Sequence, residues 1–440
     1  MTNILYCFDT EDFTSNSSAD AIAILANLLK KEGVKANFCI TGLLAKQLIA
    51  WDRQDILDSL KPHEIQIHSL GHSLHPTINE YTDIKDFEKA YSRCIKEETL
   101  AEKYIKEATK AEKLYAAVPP GKSLSYVAMY TYADMGIPAY CDTVCDTVNG
   151  DGVYYCNLYH MDYFRSFESM FYDDTDFDED EFIEQLAKRK HAILYNHPNY
   201  MLCEEFWDKL NYDKVNKHPF GQWEECERRS EADIEAFKNK LLSLTRKLMA
   251  DERFTFKTVS EVIDEVGFYK ERKITRDMLP EIRERLQKEF APINEPFSIS
   301  VSEVFDACEY FIKNEKEHTY IPEKTYGFLS QPKALEKEMK IRSEVLIDVV
   351  KNINRKRFID SEFFVDGEVI GPSDMLFLML DYLCGKSEFL IAKPRQQLVN
   401  IDMLPNLKTL SLKGTWIHSD DFEDKYLSER LRLQCWTMRF

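Results

Sequence analysis

Glycine and proline are scarce in this chain, at 14 and 15 among 440 residues. That excludes a low-complexity or disordered chain, and 44% hydrophobic and 12% aromatic content is ample for packed cores. Basic charge is short too. Lys plus Arg number 57 against 76 Asp plus Glu, a formal net charge of −19. So acidic a surface repels phosphate backbones, so nucleic acid is not an expected partner and a neutral or amine-bearing ligand fits better. No apolar run approaches the roughly 18–20 residues that span a bilayer. The opening residues 1–8 carry no basic n-region and no small-residue cleavage site, and read directly as a buried strand. The 11 cysteines follow no paired spacing. The nearest pairs, Cys141 with Cys145 and Cys203 with Cys226, match no metal ribbon or redox motif. They read as reduced thiols acting as small hydrophobes, so the expected location is cytoplasmic. The sequence gives no indication of oligomeric state.

What is present is strand–helix alternation. Strands are expected at 4–8, 35–40, 64–68, 114–118, 139–142, 192–195 and 255–258. Helices are expected at 19–32, closed by Gly33, and at 56–60, 86–113, 126–135 (closed by Gly136), 180–188, 232–249 and 259–266. Such alternation implies parallel strands joined by crossovers, in a barrel or a doubly wound sheet. The pattern stops around 267–275, so the domains are expected at 1–270 and 271–440, the second mainly helical. Two segments there, Ser302-Glu303-Val304-Phe305 and Ser373-Asp374-Met375-Leu376, each set a helix-capping serine before an acid. They read as a degenerate duplication or as two ordinary capped helices. A further helix is expected at 336–353. The end of the chain, with Trp416, His418 and Trp436, shows no catalytic constellation and reads as a scaffold or interaction region.

Three segments carry chemistry. Phe8-Asp9-Thr10-Glu11-Asp12 ends the first strand, where active sites form in parallel barrels. Three carboxylates this close repel one another unless a cation offsets them. An acidic start to the following helix would give the same letters. The second segment, 64–72, runs from a strand into His68 and His72. On one helical turn, i and i+4 imidazoles point at a common spot, as a divalent metal requires. His75 follows, but Pro76 disfavours helix there, so it is expected beside the site or on the surface. The third segment, 192–198, ends an apolar strand in His197 before Pro198, a position suited to a fixed general acid or base. Read alone, His197 is better taken as a strand-end loop histidine.

Taken together, residues 3–266 resemble the polysaccharide deacetylase (NodB-like, carbohydrate esterase family 4) domain. The match lies in the acidic motif after strand one, in Ile24–Phe38, in His68-Ser69-Leu70-Gly71-His72, and in Val118-Pro119-Pro120-Gly121. Gly136-Ile137-Pro138-Ala139-Tyr140, the strand-end His197 and the closing Phe256–Glu261 complete it. The order and spacing of all of them make the match specific. It implies a distorted (β/α) barrel of fewer than eight strands. It also implies removal of an N-acyl group, acetyl or formyl, from an amino sugar or sugar-containing precursor, with a small-molecule or oligosaccharide substrate. A divalent metal, zinc first, would be held by Glu11, His68 and His72, with Asp12 as rival to Glu11. Asp9 would be the base, His197 the acid, and a backbone N–H near Pro120-Gly121 an oxyanion donor. Relatives also hydrolyse formyl groups or purine-derived cyclic amides. One departure stands out: the family's third motif opens with an arginine that orients the base, and here Ala117 and Val118 stand there. Another cation replaces it, or the base is weaker, or the chain binds without turnover.

Overall fold

The computed structural model describes residues 1–121, 123–141, 145, 148–173, 177–399, 415 and 417–440. The chain divides into two compact units. The first takes the described residues of 1–152, 158–268 and, late in the chain, 415 and 417–427. The second takes 153–157, 269–399 and 428–440.

In the first unit β1 (Thr2–Thr10), α1 (Asp20–Glu32), β2 (Asn37–Ile40), α2 (Gly42–Ala50), α3 (Gln54–Leu60), β3 (Glu64–Ile67), α4 (Ile78–Thr82), α5 (Phe87–Thr109), β4 (Ala116–Ala117), α6 (Tyr126–Asp134) and β5 (Ala139–Cys141) come first. They are followed by β6 (Leu158–Met161), β7 (Tyr163–Ser166), α7 (Glu179–Leu186), β8 (His191–Asn196), α8 (Pro198–Leu202), α9 (Trp207–Tyr212), α10 (Glu231–Ala250), β9 (Phe254–Phe256) and α11 (Val259–Glu265). The strands lie in the order β6-β5-β4-β3-β2-β1-β8-β7, with β9 also on β1. Their described pairings are all parallel. β6 and β7 sit at opposite ends of that path, yet only Asp162 separates them. One run of chain therefore closes the sheet on itself. The result is a distorted barrel with fewer than eight staves: β1 to β5, the 158–166 run, and β8.

Local sequence explains the elements. β1 is buried along its whole length, as a central parallel strand requires. Gly33 ends α1 in the left-handed region at φ 78°. A Cβ on Gly42 would lie 2.6 Å from the Cα of Ala101, so only glycine lets α2 lie this close to α5. The 158–166 strands were not anticipated: Asp162 and Arg165 break the apolar run, and aromatic alternation carries the strand instead.

The second unit has its own core, with Trp436 packed on Phe328 and Phe290 at 4.8 and 5.7 Å. Helices Leu279–Lys288, Val301–Lys313, Ser343–Asn352 and Pro372–Gly385 accompany three two-stranded antiparallel sheets. The helix expected at 336–353 begins only at Ser343. Before it, Met339–Arg342 alternates buried Ile341 with exposed Lys340 and Arg342, and pairs with Phe389–Ala392. Ser302 and Ser373 are not caps: Ser300 and Gly371 are. Glu303 and Asp374, at the third helical position, reach back to accept the N–H of those caps at 2.7 and 3.0 Å. Trp416 lies outside the described residues. No described helix is long and apolar enough to cross a membrane.

Candidate metal centre

Strand register builds the site. Thr10, Ile40, Ile67 and Ala117 lie in one row across β1 to β4. The next residues are Glu11, Thr41, His68 and Val118, at the carboxyl ends of the strands. Across the other side of β1, Phe8 faces Asn196, so the residues that follow, Asp9 and His197, are neighbours.

Glu11, His68 and His72 converge, and one donor atom of each lies within 4.8 Å of the others. Glu11 Oε2 is 3.0 Å from His68 Nε2 and 2.9 Å from His72 Nε2. All three residues are buried. The tautomers follow from what lies behind the rings. His68 Nδ1 donates to the carbonyl of Val118 at 2.8 Å. Ser73 Oγ donates to Asp208 Oδ2 at 2.8 Å and so accepts from His72 Nδ1 at 2.6 Å. With both Nδ1 atoms protonated, both Nε2 atoms turn lone pairs toward the carboxylate. Three lone-pair donors facing one another need positive charge among them. A proton on one ring answers one contact; a divalent ion answers all three. Two imidazoles and one carboxylate, with coordination positions left over, suit zinc of the catalytic type.

The helical turn expected for His68 and His72 is not there. Residues 68–75 form a loop with Ser69 at φ 63° and His72 at φ 46°. The carbonyls of Ser69 and Leu70 accept from the N–H of Gly42 and Leu43 at 2.9 and 2.8 Å, so they point toward α2 rather than along a helix of their own. Ser69 Oγ accepts the His72 N–H at 3.0 Å. The rings converge because this loop is pinned to the start of α2. His75 stays apart, between Glu80 and the Tyr212 carbonyl, both at 2.9 Å. Asp12 turns away as well: it accepts from the N–H of Thr14 at 2.9 Å, its hydroxyl at 2.7 Å, and the hydroxyl of Ser18. It closes the loop after β1.

Asp9 accepts from the Tyr163 hydroxyl at 2.8 Å, and its other oxygen lies 3.8 Å from His197 Nε2. Burial raises the Asp9 carboxyl above its ordinary range against the pull of His68 and His197. Burial alone would lower His197, but Glu168 overrides it and raises it to about 10. Glu168 Oε1 accepts from the His197 backbone N–H and, at 3.1 Å, from Nδ1. Burial likewise opposes Glu11, yet His72 and His68 hold it well below the usual carboxylate range. Burial raises Asp208, helped by Glu11, to about 8. These groups line a cavity of about 370 Å³, with Gly121, Cys141, Tyr163, Tyr195, Phe206 and Lys209 among its walls.

Sequence reasoning missed Tyr163, Glu168, Trp207 and Asp208. Trp207 Nε1 donates to Glu11 Oε1 at 2.9 Å. Its ring packs on Phe13 at 4.9 Å, which ties α9 to the loop after β1.

No family model and no curated protein matches the chain. Solved structures similar to it are family 4 carbohydrate esterases and related pseudoenzymes. One is a family 4 carbohydrate esterase from Bacillus anthracis, 18% identical, covering 60% of this chain and 82% of that one, with a TM-score of 0.32. Another is a family 4 acetyl xylan esterase from Clostridium thermocellum in complex with cobalt: 14% identical, 61% and 92% covered, TM-score 0.31. A third is a family 4 pseudoenzyme from Bacillus anthracis: 13% identical, 58% and 69% covered, TM-score 0.31.

Proposed function

We propose that the chain is a metal-dependent hydrolase that removes an acetyl or formyl group from the nitrogen of an amino sugar or a sugar-containing precursor. One observation carries the reading: three inward lone-pair donors, Glu11 Oε2, His68 Nε2 and His72 Nε2, share a cavity with the Asp9–His197 pair. Glu11, His68 and His72 would hold the ion. When bound, it polarises the acyl carbonyl and acidifies water. Asp9 takes the proton of the attacking water through Oδ2. His197, kept protonated by Glu168, gives a proton to the leaving amine nitrogen. The Gly121 loop supplies backbone to the same wall. Tyr163, Tyr195 and Phe206 offer apolar faces against which the C–H face of a sugar ring packs. In this reading the chain acts in the cytoplasm.

The missing arginine favours a second reading, a protein that binds metal and carbohydrate without turnover. Among the described residues the partners of Asp9 are a neutral phenol and His197, not an arginine or lysine. A third keeps the chemistry but takes a cyclic amide or formamide. The test is acetate and formate release from a panel of N-acylated amino sugars, with zinc, cobalt and manganese added in turn. Release that needs metal, and is lost in His68→Ala, is the expected result. Stoichiometric metal with no release from any sugar favours the binding protein.

A further inference from the structure

We infer that Trp207 and Asp208, adjacent at the start of α9, set the affinity of the Glu11–His68–His72 centre for its divalent ion. The inference rests on the metal reading above and names two positioning residues for it. Each takes hold of the outward atom of a donor residue. Trp207 Nε1 donates to Glu11 Oε1 at 2.9 Å, which leaves Oε2 as the oxygen turned to both imidazoles. Asp208 Oδ2 accepts from Ser73 Oγ at 2.8 Å, and Ser73 Oγ accepts from His72 Nδ1 at 2.6 Å. That relay fixes the proton on Nδ1 and the lone pair on Nε2. It also sets Asp208 Oδ2 3.5 Å behind the imidazole, so the ring's orientation is fixed from its outer side. Both side chains are fully buried. Thus one two-residue step, far along the chain from Glu11, orients two of the three ligands. His68 is oriented independently, by the Val118 carbonyl.

α9 is also held in place by packing outside the ligands. Trp207 packs on Phe13 and on Tyr212, at 4.9 and 5.5 Å. Asn211 Nδ2 donates to the carbonyls of Trp207 and Glu224, both at 3.0 Å. Loss of the indole N–H or of the Asp208 oxygen that takes the Ser73 hydroxyl therefore leaves a helix that still packs, with ligands no longer fixed.

The experiment is zinc titration of the metal-free full chain against a chromophoric chelator, for wild type, Trp207→Phe, Asp208→Asn, Ser73→Ala and the Trp207→Phe/Asp208→Asn pair. Thermal unfolding of the same metal-free proteins runs alongside. Loss of such partners weakens metal binding about 10- to 100-fold. That loss is expected for each single variant, with a larger one for the pair. Ser73→Ala removes one oxygen and keeps the helix intact, so it carries the test should Asp208→Asn unfold more easily. Variants that bind zinc as tightly as wild type, while His68→Ala has lost it, overturn this inference alone. A wild-type chain that binds no zinc overturns the metal reading, and the inference with it.

Discussion

The phenol of Tyr163 donates to Oδ1 of Asp9 at 2.8 Å and stacks on Tyr195 with ring centroids 4.5 Å apart. The stack holds the hydroxyl on Asp9, whose described partners include no arginine or lysine. A hydrogen bond to a charged group is worth about 1.5–3 kcal/mol, so Tyr163→Phe is expected to lower kcat by about 10- to 100-fold. Zinc affinity stays unchanged. Wild-type kcat in Tyr163→Phe would show that Asp9 needs no such support.

Asp9 and Glu11 lie two residues apart but differ in contacts, so their variants should differ in kind. Asp9→Asn is expected to cut turnover about 100- to 10,000-fold with metal still bound. Glu11→Gln weakens the metal, and excess metal partly restores rate. Asp12→Asn does neither, since its oxygens are spent on Thr14 and Ser18. Metal titration with kinetics on the three variants checks this. Metal-rescuable activity in Asp12→Asn would contradict the geometry.

His197 acts as an acid only while protonated, so the rate falls as pH rises through its pKa. Glu168 sustains that pKa at about 10 against burial. In Glu168→Gln the basic limb of the pH–rate profile should move down toward the ordinary histidine value of about 6.5. An unmoved limb would assign it to another group.

Glu98, which accepts the N–H of Leu70 in the loop that presents His68 and His72, gives a stability test. Burial raises it from 4.5 to about 7, against hydrogen bonds from Tyr132 and Leu70 at 2.8 and 3.3 Å. The folded state thus keeps a proton that the unfolded chain releases above about pH 4.5. The cost grows between pH 4.5 and 7 and stays constant above, up to about 3 kcal/mol. Glu98→Gln should raise Tm at pH 8 and leave it unchanged near pH 4. An equal Tm change at both pH values would refute the assignment.

Asp83 accepts the N–H of Lys425 and of Tyr426, both at 2.7 Å, while Glu80 accepts that of Ser419, also at 2.7 Å. Asp83→Ala orphans those amides and is expected to cost about 1–2 kcal/mol, read as faster proteolysis within 417–427. Unchanged cleavage there would refute it.

The barrel was legible because strands and helices alternate along the first 266 residues, and the residues that converge at its strand ends stand just after those strands in the sequence. His68 and His72 were picked out by their spacing after a strand, while Glu11, with Asp12 as its rival, and His197 took their roles from the family resemblance. The loop that presents His68 and His72 was not legible. Its shape depends on α2 taking the Ser69 and Leu70 carbonyls, a tertiary contact without a local signature. Trp207 and Asp208 sit in an ordinary charged stretch, Glu204-Glu205-Phe206-Trp207-Asp208-Lys209. Their meaning appears only when the fold brings Glu11 and Ser73 to them. Tyr163 had a faint signal: Tyr159, Met161 and Tyr163 alternate through a run otherwise broken by Asp162 and Arg165.

The return of residues 417–427 to the unit that begins at Met1 bears on synthesis. Domains generally fold as they leave the ribosome, the first part first. Here the first unit stays short of Ile417, which packs toward Gly121 on the cavity wall, until the chain has been made past residue 417. The nascent barrel leaves Asn79, Glu80 and Asp83 facing water, and a chain stalled after residue 399 carries an unfinished wall.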